Sequence, residues 1–358
     1  MKTIYYSGLI LLVAVSWSCR DVYYPDDIDS SARIPVVQGI ITAGEIPRVT
    51  LTWARNYEDN VLEPIIGAEV YVSDDKGNLE ALTETNPGNY SSLGDIIGVI
   101  GNTYTLRVVL PDGNEFLSKP QLLMQPPMID SLYASPGTRD GVTYSSSKKP
   151  IITRQLGLHV SADLSGQGNK NLYFRFNTRV VKEMVYTADI GSPASHSVYL
   201  WETKYLDNSY SVDNTLPSDG GQLLPAHSIG FLWYYYDATL ETETSTAPFT
   251  EGWILTFKVY NISQDVFGYY NSIGSQLNSD DQIFAPVASQ VKSNLHCVND
   301  PVQKVAGVFE ASSYSVVYKA FGWNGLEDHY FKDLDWFPED VGYGRQERFP
   351  PYFWVLLI

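Results

Sequence analysis

Several groups of residues in this chain have the types and spacing to do chemistry. Ala226 to Gly230, "AHSIG", approximates the Gly-x-Ser-x-Gly elbow that exposes a nucleophilic serine, here Ser228, with alanine in the first place. That elbow needs a strand before it and a helix after it. The next residues, "FLWYYYD", are strand material, so the context for acyl chemistry is missing. His296 and Cys297 are adjacent and raise a metal or a thiol nucleophile. Neighbours on an extended strand point to opposite faces, so these two do not easily share one tetrahedral metal. With 5 histidines in all, none at zinc-like spacing, Cys297 reads as a buried or idle thiol. Asp26, Asp27 and Asp29, then Asp280 and Asp281, then Glu327, Asp328, Asp333, Asp335, Glu339 and Asp340 offer oxygens to a calcium ion. None has the regular spacing of a calcium loop. Each reads as a solvated acidic loop, with 327–340 the nearest to an exception. Phe231, Trp233 and Tyr235 alternate with Leu232, Tyr234 and Tyr236, and with Trp253 nearby they raise a sugar-stacking platform. One of those sets must be core, and burial is the better account of the other. No catalytic, cofactor-binding or metal set is assigned from these residues.

Cys19 stands apart. Residues 11–21 read "LLVAVSWSCRD"; before them lies Lys2 as a positive n-region, and "GLILLVAV", Gly8 to Val15, is an apolar h-region. The run falls far short of the roughly 20 residues that span a bilayer, so it reads as an export signal over 1–18. Ser16, Trp17 and Ser18 before Cys19 look like a relaxed bacterial lipobox. In such a site the cysteine thiol is linked to diacylglycerol, the chain is cut before it, and the new amine is acylated. Each buried methylene contributes ~0.8 kcal/mol, so several acyl chains hold where a single one is marginal.

Removal of Lys2 with the signal takes the formal charge from −17 to −18. Such a surface repels phosphate backbones, which argues against a nucleic-acid partner. Of the 2 cysteines, one is then lipidated, and Cys297 has no partner for an intrachain disulfide. The 26 tyrosines, 14 phenylalanines and 8 tryptophans sit mostly in alternating or β-branched contexts, which points to an all-β chain.

The elements follow from period and punctuation. Residues 19–32 are acidic, broken by proline and without period, and read as a lipidated tether. "PVVQGIITAG", "RVTLTWARN", "GAEVYVSDDKGNLEALTE" and "GNTYTLRVVLPDGNEF" read as strands with turns at Gly77 and Gly113, giving an immunoglobulin- or transthyretin-like β-sandwich over 33–125. The prolines of "QPPMID" mark a boundary. Residues 126–358 read as a larger β-rich domain with longer strands, such as "LYFRFNTRVVKEMVY", "SVYLWETKY" and "GWILTFKVYNI". One stretch departs from period two. Val266, Tyr270, Ile273 and Leu277 share a helical face, with Ser263 as N-cap, so one short helix is expected over 263–278. "KVAGVFEASSYSVVYKAF" reads as a strand pair.

Several segments in order carry a resemblance. The lipobox, "VVQGIIT", "GAEVYVSDDKGN", "NPGNY", "GNTYTLRVVLPDG", "SQDVFGYYNSIGSQLNSDDQIFAPVASQVKSNL", "KVAGVFEASSYSV" and the late "PPYFW" resemble the Bacteroidota lipoprotein family filed as domain of unknown function four-two-four-nine. The resemblance covers nearly the whole mature chain and implies an N-terminal part similar to the transthyretin-like domain of carboxypeptidase regulatory regions. It also implies a neighbourhood of TonB-dependent outer-membrane receptors. Many members carry a Cys-x-x-Cys-like pair before the final aromatic motif. This chain has no cysteine there, so a metal or redox role of that pair does not carry over.

Surface lipoproteins of that phylum tend to carry acidic residues soon after the lipidated cysteine, and Asp21, Asp26, Asp27 and Asp29 match that tendency. The expected function is a non-enzymatic, lipid-anchored protein on the cell-surface side of the outer membrane, an accessory or ligand-binding partner of a TonB-dependent transport system. The alternatives are a secreted hydrolase acting on glycan or peptide through paired carboxylates, and an adhesin or structural coat. No cofactor is expected.

Overall fold

Alternation of apolar and polar residues builds the first strands. β1 (Pro35–Thr42) and β2 (Arg48–Trp53) turn Val37, Ile41, Val49 and Leu51 inward and Gln38, Thr50 and Thr52 outward. The computed structural model describes residues 33–55, 61–144, 147–166, 171–188, 196–206, 210–215, 221–236, 249–277, 291–323 and 329–334.

β3 (Glu69–Asp74), β4 (Leu79–Asn86), β5 (Asn89–Ser91), β6 (Thr103–Val109), β7 (Glu115–Ser118) and β8 (Gln121–Leu122) follow. Val70, Val72, Tyr104, Leu106, Val108 and Phe116 share one apolar cluster with the buried residues of β1 and β2. The turn between β3 and β4 is set by Asp74, whose carboxylate accepts from the N–H groups of Lys76 and Asn78, with Gly77 at φ +91°.

β9 (Met128–Tyr144), β10 (Pro150–Ser165), β11 (Tyr173–Ala188), β12 (His196–Tyr205), β13 (Val212–Asn214), β14 (Leu223–Tyr236) and β15 (Phe249–Ile262) are mostly longer. Strands β14, β10 and β9 make a three-stranded sheet. Its Leu158, Val160, Leu164 and Leu232 pack with Phe174, Phe176, Leu255 and Phe257 of β11 and β15 into a second core. This is sheet on sheet, and the described residues are all-β apart from one helix.

α1 (Gln264–Leu277), β16 (Leu295–Cys297), β17 (Ala306–Trp323) and β18 (His329–Leu334) complete the order. The stretch expected as a strand pair is one strand, β17, because "ASSYS" keeps the alternation and contains no turn residue. Residues 306–312 of β17 run parallel to β1, and residues 313–322 run antiparallel to β15. Phe309 and Ala311 therefore enter the first core while Phe321 enters the second. Gly307 sits at φ +98°, where a Cβ would collide with the Val37 carbonyl. β16 pairs with β7 and sends Leu295 and Cys297 into the first core.

The proline-rich segment between the cores lies across this sheet. Ser313 Oγ donates to the Met124 carbonyl at 2.7 Å, Asn261 Nδ2 to that of Gln125 at 2.8 Å, and Ser315 Oγ to that of Pro127 at 2.5 Å. Three side chains thus satisfy carbonyls that a strand would otherwise have to pair.

The helix starts as its cap requires: Ser263 Oγ accepts from the Val266 N–H at 3.3 Å. Val266 and Tyr269 are buried, and Tyr270 and Ile273 pack beside them on Ile262 and Val308. Leu277, expected on this face, is 55% exposed. Tyr269 supplies the bulk in its place, since the stripe centres one residue away from the expected line and the helix ends at Leu277.

Candidate functional site

The sheet has two faces with different contents. Phe174, Phe176 and Val180 of β11 and Trp253, Leu255, Phe257 and Val259 of β15 face the second core, while Arg175, Arg179, Thr256, Lys258 and Tyr260 face away from it. On β17 the same outer face carries Glu310, Ser312, Tyr314, Val316 and Tyr318.

At its centre Arg175 and Glu310, 135 residues apart in sequence, form a two-point pair: Nη2 to Oε1 at 2.7 Å and Nε to Oε2 at 3.1 Å. The Glu310 side chain is 1% exposed and that of Arg175 12%. Its oxygens also accept from Tyr270 Oη at 3.1 Å and Ser312 Oγ at 2.7 Å, so the buried charge is fully bonded. The Arg175 guanidinium lies 3.9 Å from the Tyr260 ring centroid. Burial works against its charge, but Glu310 outweighs burial and holds Arg175 above its ordinary range. Burial, then Glu310, raises the Tyr270 phenol far above its usual value. The group locks α1 onto the sheet. Lys258 sits beside it, its ammonium 4.3 Å from the Tyr314 ring centroid and 5.9 Å from that of Tyr260. Burial lowers its pKa, Glu45 opposes that, and Arg179 and Arg175 add to the lowering.

A second charged group lies further along β11, where it pairs with β12. Lys182 Nζ is 3.0 Å from Glu202 Oε2, and Lys204 approaches the same oxygen at 3.5 Å. Trp233 and Trp253 flank the Lys182 ammonium at 5.2 and 6.0 Å from their centroids. Burial lowers Lys182 to about 8, with Glu202 opposing.

The Gly-x-Ser-x-Gly-like stretch forms no nucleophile elbow. Ala226–Gly230 lies inside β14, an extended strand, so the strand-to-helix turn that would project Ser228 is missing. His227 Nδ1 meets Asp213 Oδ2 at 3.1 Å and its ring stacks on Phe176 at 3.9 Å. Ser228 is exposed and follows on the next strand position, so it is not joined to that dyad. Ala226 takes φ +51°, held by Asp163, which accepts its N–H at 2.8 Å and the Ser131 hydroxyl at 2.6 Å. Hydrogen bonds from Ser131 and the Ala226 amide, against burial, lower the Asp163 pKa.

Cys19, Asp21, Asp26, Asp27 and Asp29 lie outside the described residues, as do Asp280, Asp281, Glu327, Asp328, Asp335, Glu339 and Asp340. Asp333 lies in β18, where its backbone is the register partner of Lys319 on β17. His296 is exposed and Cys297 buried, on opposite faces of β16, and the thiol donates to Asn299 Oδ1 at 3.2 Å. Among the described residues no three His, Cys, Asp or Glu side chains are grouped to hold a metal. No described helix is long and apolar enough to cross a membrane. Phe231 and Leu232 are both buried, so both faces of β14 are covered there, while Phe231 meets His159 at 4.7 Å and the Arg139 guanidinium at 4.9 Å. An open cleft of about 340 Å³ lies beside the proline-rich crossing, lined by Ile100, Leu122, Leu123, Met124 and Leu172.

Sequence reading missed the Arg175–Glu310 pair. Its signal was present as an arginine in "LYFRFN" and a glutamate in "GVFEAS", each a charge inside an apolar alternation.

One surface feature remains. β14 accompanies β10 only as far as Gln155, and among the described residues Pro150–Arg154 pairs with β9 alone. Among the described residues the two strands go on as a ribbon for about 15 Å. On it Val142 and Ile152 are directly opposed, 60% and 70% exposed. Residues 138–155 hold Arg139, Lys148, Lys149 and Arg154 against Asp140, a basic stretch in a chain of net charge −17.

No curated protein and no solved structure matches the chain. A family model does, over residues 22–316, from before β1 to within β17 and so across both cores. The chain belongs to the family described as Domain of unknown function (DUF4249).

Proposed function

We propose that this is a lipid-anchored protein of the outer membrane, facing the cell surface, that works by binding a protein partner, a TonB-dependent transporter, and not by catalysis. The observation that carries the binding role is the β9–β10 ribbon with its exposed pair Val142 and Ile152. A two-stranded ribbon with an exposed apolar pair is marginal alone and gains from a partner that covers Val142 and Ile152. Its cations suit an acidic partner surface and would guide the encounter. Location rests on the signal layout ending at Cys19 and on the acids that follow it.

The test joins fractionation to a pull-down. Cys19→Ala should leave the membrane fraction, and an alanine variant that stays there through a high-salt wash overturns the anchor. The wild-type protein, extracted in detergent, should bring down a transporter identified by mass spectrometry. The double change Val142→Asp and Ile152→Asp should lose that partner at an unchanged unfolding midpoint. Capture that survives the double change removes the ribbon from the interface.

A further inference from the structure

We propose that Lys258, Tyr260 and Tyr314 form a binding site for a carboxylate-bearing ligand on the outer face of the β11–β15–β17 sheet. This site is independent of the ribbon, which belongs to the sheet packed against the opposite face.

The geometry leaves a set of polar groups unused. Tyr260 and Tyr314 are direct cross-strand partners, and Lys258 lies two positions along β15 on the same face. The Lys258 ammonium touches only ring faces, at 4.3 and 5.9 Å from the two centroids, and among the described residues it has no hydrogen bond and no ion pair. Neither phenol hydroxyl has a protein partner among the described residues, and none of the three polar atoms is sealed from solvent. An ammonium carries three donors and no acceptor, and here the rings hold it in place without using them. A carboxylate is its natural complement.

Charge decides the class. Arg175 is neutralised by Glu310 at 2.7 Å, whereas Lys258 is half-buried beside Arg175 and Arg179, with Glu45 acting on it but, among the described residues, in no ion pair with it. One unpaired cation calls for one negative charge. A dianion would bring a second charge towards Glu310 and Glu45 in a chain of net charge −17. The two tyrosine rings, tilted against each other at 5.4 Å between centroids, offer apolar surface to a carboxylate carried on an apolar or ring-shaped body. Two hydroxyls beside the ammonium can donate to the same carboxylate oxygens.

Cyclohexanecarboxylate, its neutral amide and inorganic phosphate are the probes, titrated calorimetrically into the detergent-extracted full chain. The carboxylate should bind saturably at one site, and the amide should not. Lys258→Met should weaken binding by about tenfold or more, since it removes the charged donor. Lys258→Arg should keep it. Lys258→Met removes an unpaired charge, so its unfolding midpoint should hold or rise. Tyr314→Phe keeps the ring and should cost a few-fold, as one lost hydrogen bond does. Absence of saturable carboxylate binding, equal binding of the amide, tighter binding of phosphate, or affinity unchanged in both Lys258→Met and Tyr314→Phe overturns the proposal.

Discussion

Asn294 holds Phe309 by both of its backbone groups, donating from Nδ2 to the carbonyl at 2.8 Å and accepting the N–H on Oδ1 at 2.9 Å. The side-chain amide acts here as one rung of a strand. It serves the edge of β17 along which β15 does not extend, while β1 pairs the other edge. The neighbouring Ser293 Oγ adds a bond to the Gly307 carbonyl at 2.7 Å.

Asn294→Ala leaves two buried backbone groups of Phe309 without partners, at roughly 1–3 kcal/mol each. Asn294→Asp restores the acceptor and not the donor. Denaturant unfolding should therefore rank wild type above aspartate and aspartate above alanine. An alanine variant as stable as wild type would mean that water replaces the amide.

The helix gives a paired test. Val266 is fully buried and Leu277 is 55% exposed. Val266→Ala should cost about 1–3 kcal/mol through lost burial and a small cavity, and Leu277→Ala within about 0.5 kcal/mol. Equal losses at both positions would move the packed face towards the end of α1.

Glu80 sets a limit on the acid side. Its carboxylate, 4% exposed, accepts from Ser92 Oγ at 2.6 Å and from the N–H groups of Ile96 at 2.7 Å and Leu93 at 2.8 Å. Burial alone would raise its pKa, but these bonds and one from the Asp95 amide outweigh burial and lower it. The unfolded chain then binds more protons near its carboxylate value of about 4.3, so the contribution is full above that pH and lost as pH falls through the folded value. Glu80→Gln should cost roughly 1–3 kcal/mol at neutral pH and little in acid, read from unfolding curves at both.

Lys182 works in the opposite range. Its folded pKa of about 8 is below the unfolded one. Between there and about 10.4 the unfolded chain binds more protons, so stability rises with pH by roughly 1–3 kcal/mol. Above about 10 the phenols of Tyr260, Tyr269 and Tyr270, raised chiefly by burial, act against it, because the unfolded chain ionises them first. Stability of wild type minus Lys182→Met, measured from pH 7 to 10, should climb. A flat difference would place the Lys182 ammonium in water.

Local period made much of this fold legible. Val49 and Leu51, Val70 and Val72, and Tyr104, Leu106, Val108 and Leu110 are buried as their alternation requires. The N-cap at Ser263 was readable for the same reason, since a cap acts over three residues. Contacts across long separations were not. Nothing in "GVFEASS" says that Glu310 meets an arginine 135 positions earlier, because that pairing depends on which strands become neighbours. The strand context of Ser228 was readable from "FLWYYYD", whereas the second half of "KVAGVFEASSYSVVYKAF" looked separate because a strand of 18 residues exceeds the usual length.

β1 and β17 also form a mechanical joint. Residues before Pro35 enter the folded body through β1, which runs parallel to β17 over seven register pairs, Val36–Ala306 to Thr42–Ser312. β17 is held from its far end by β15. A pull along the N-terminal segment therefore tends to slide one strand past the other, loading all seven pairs together. Peeling would break them singly. A load applied through the segment before Pro35 is thus shared along the whole of this ladder.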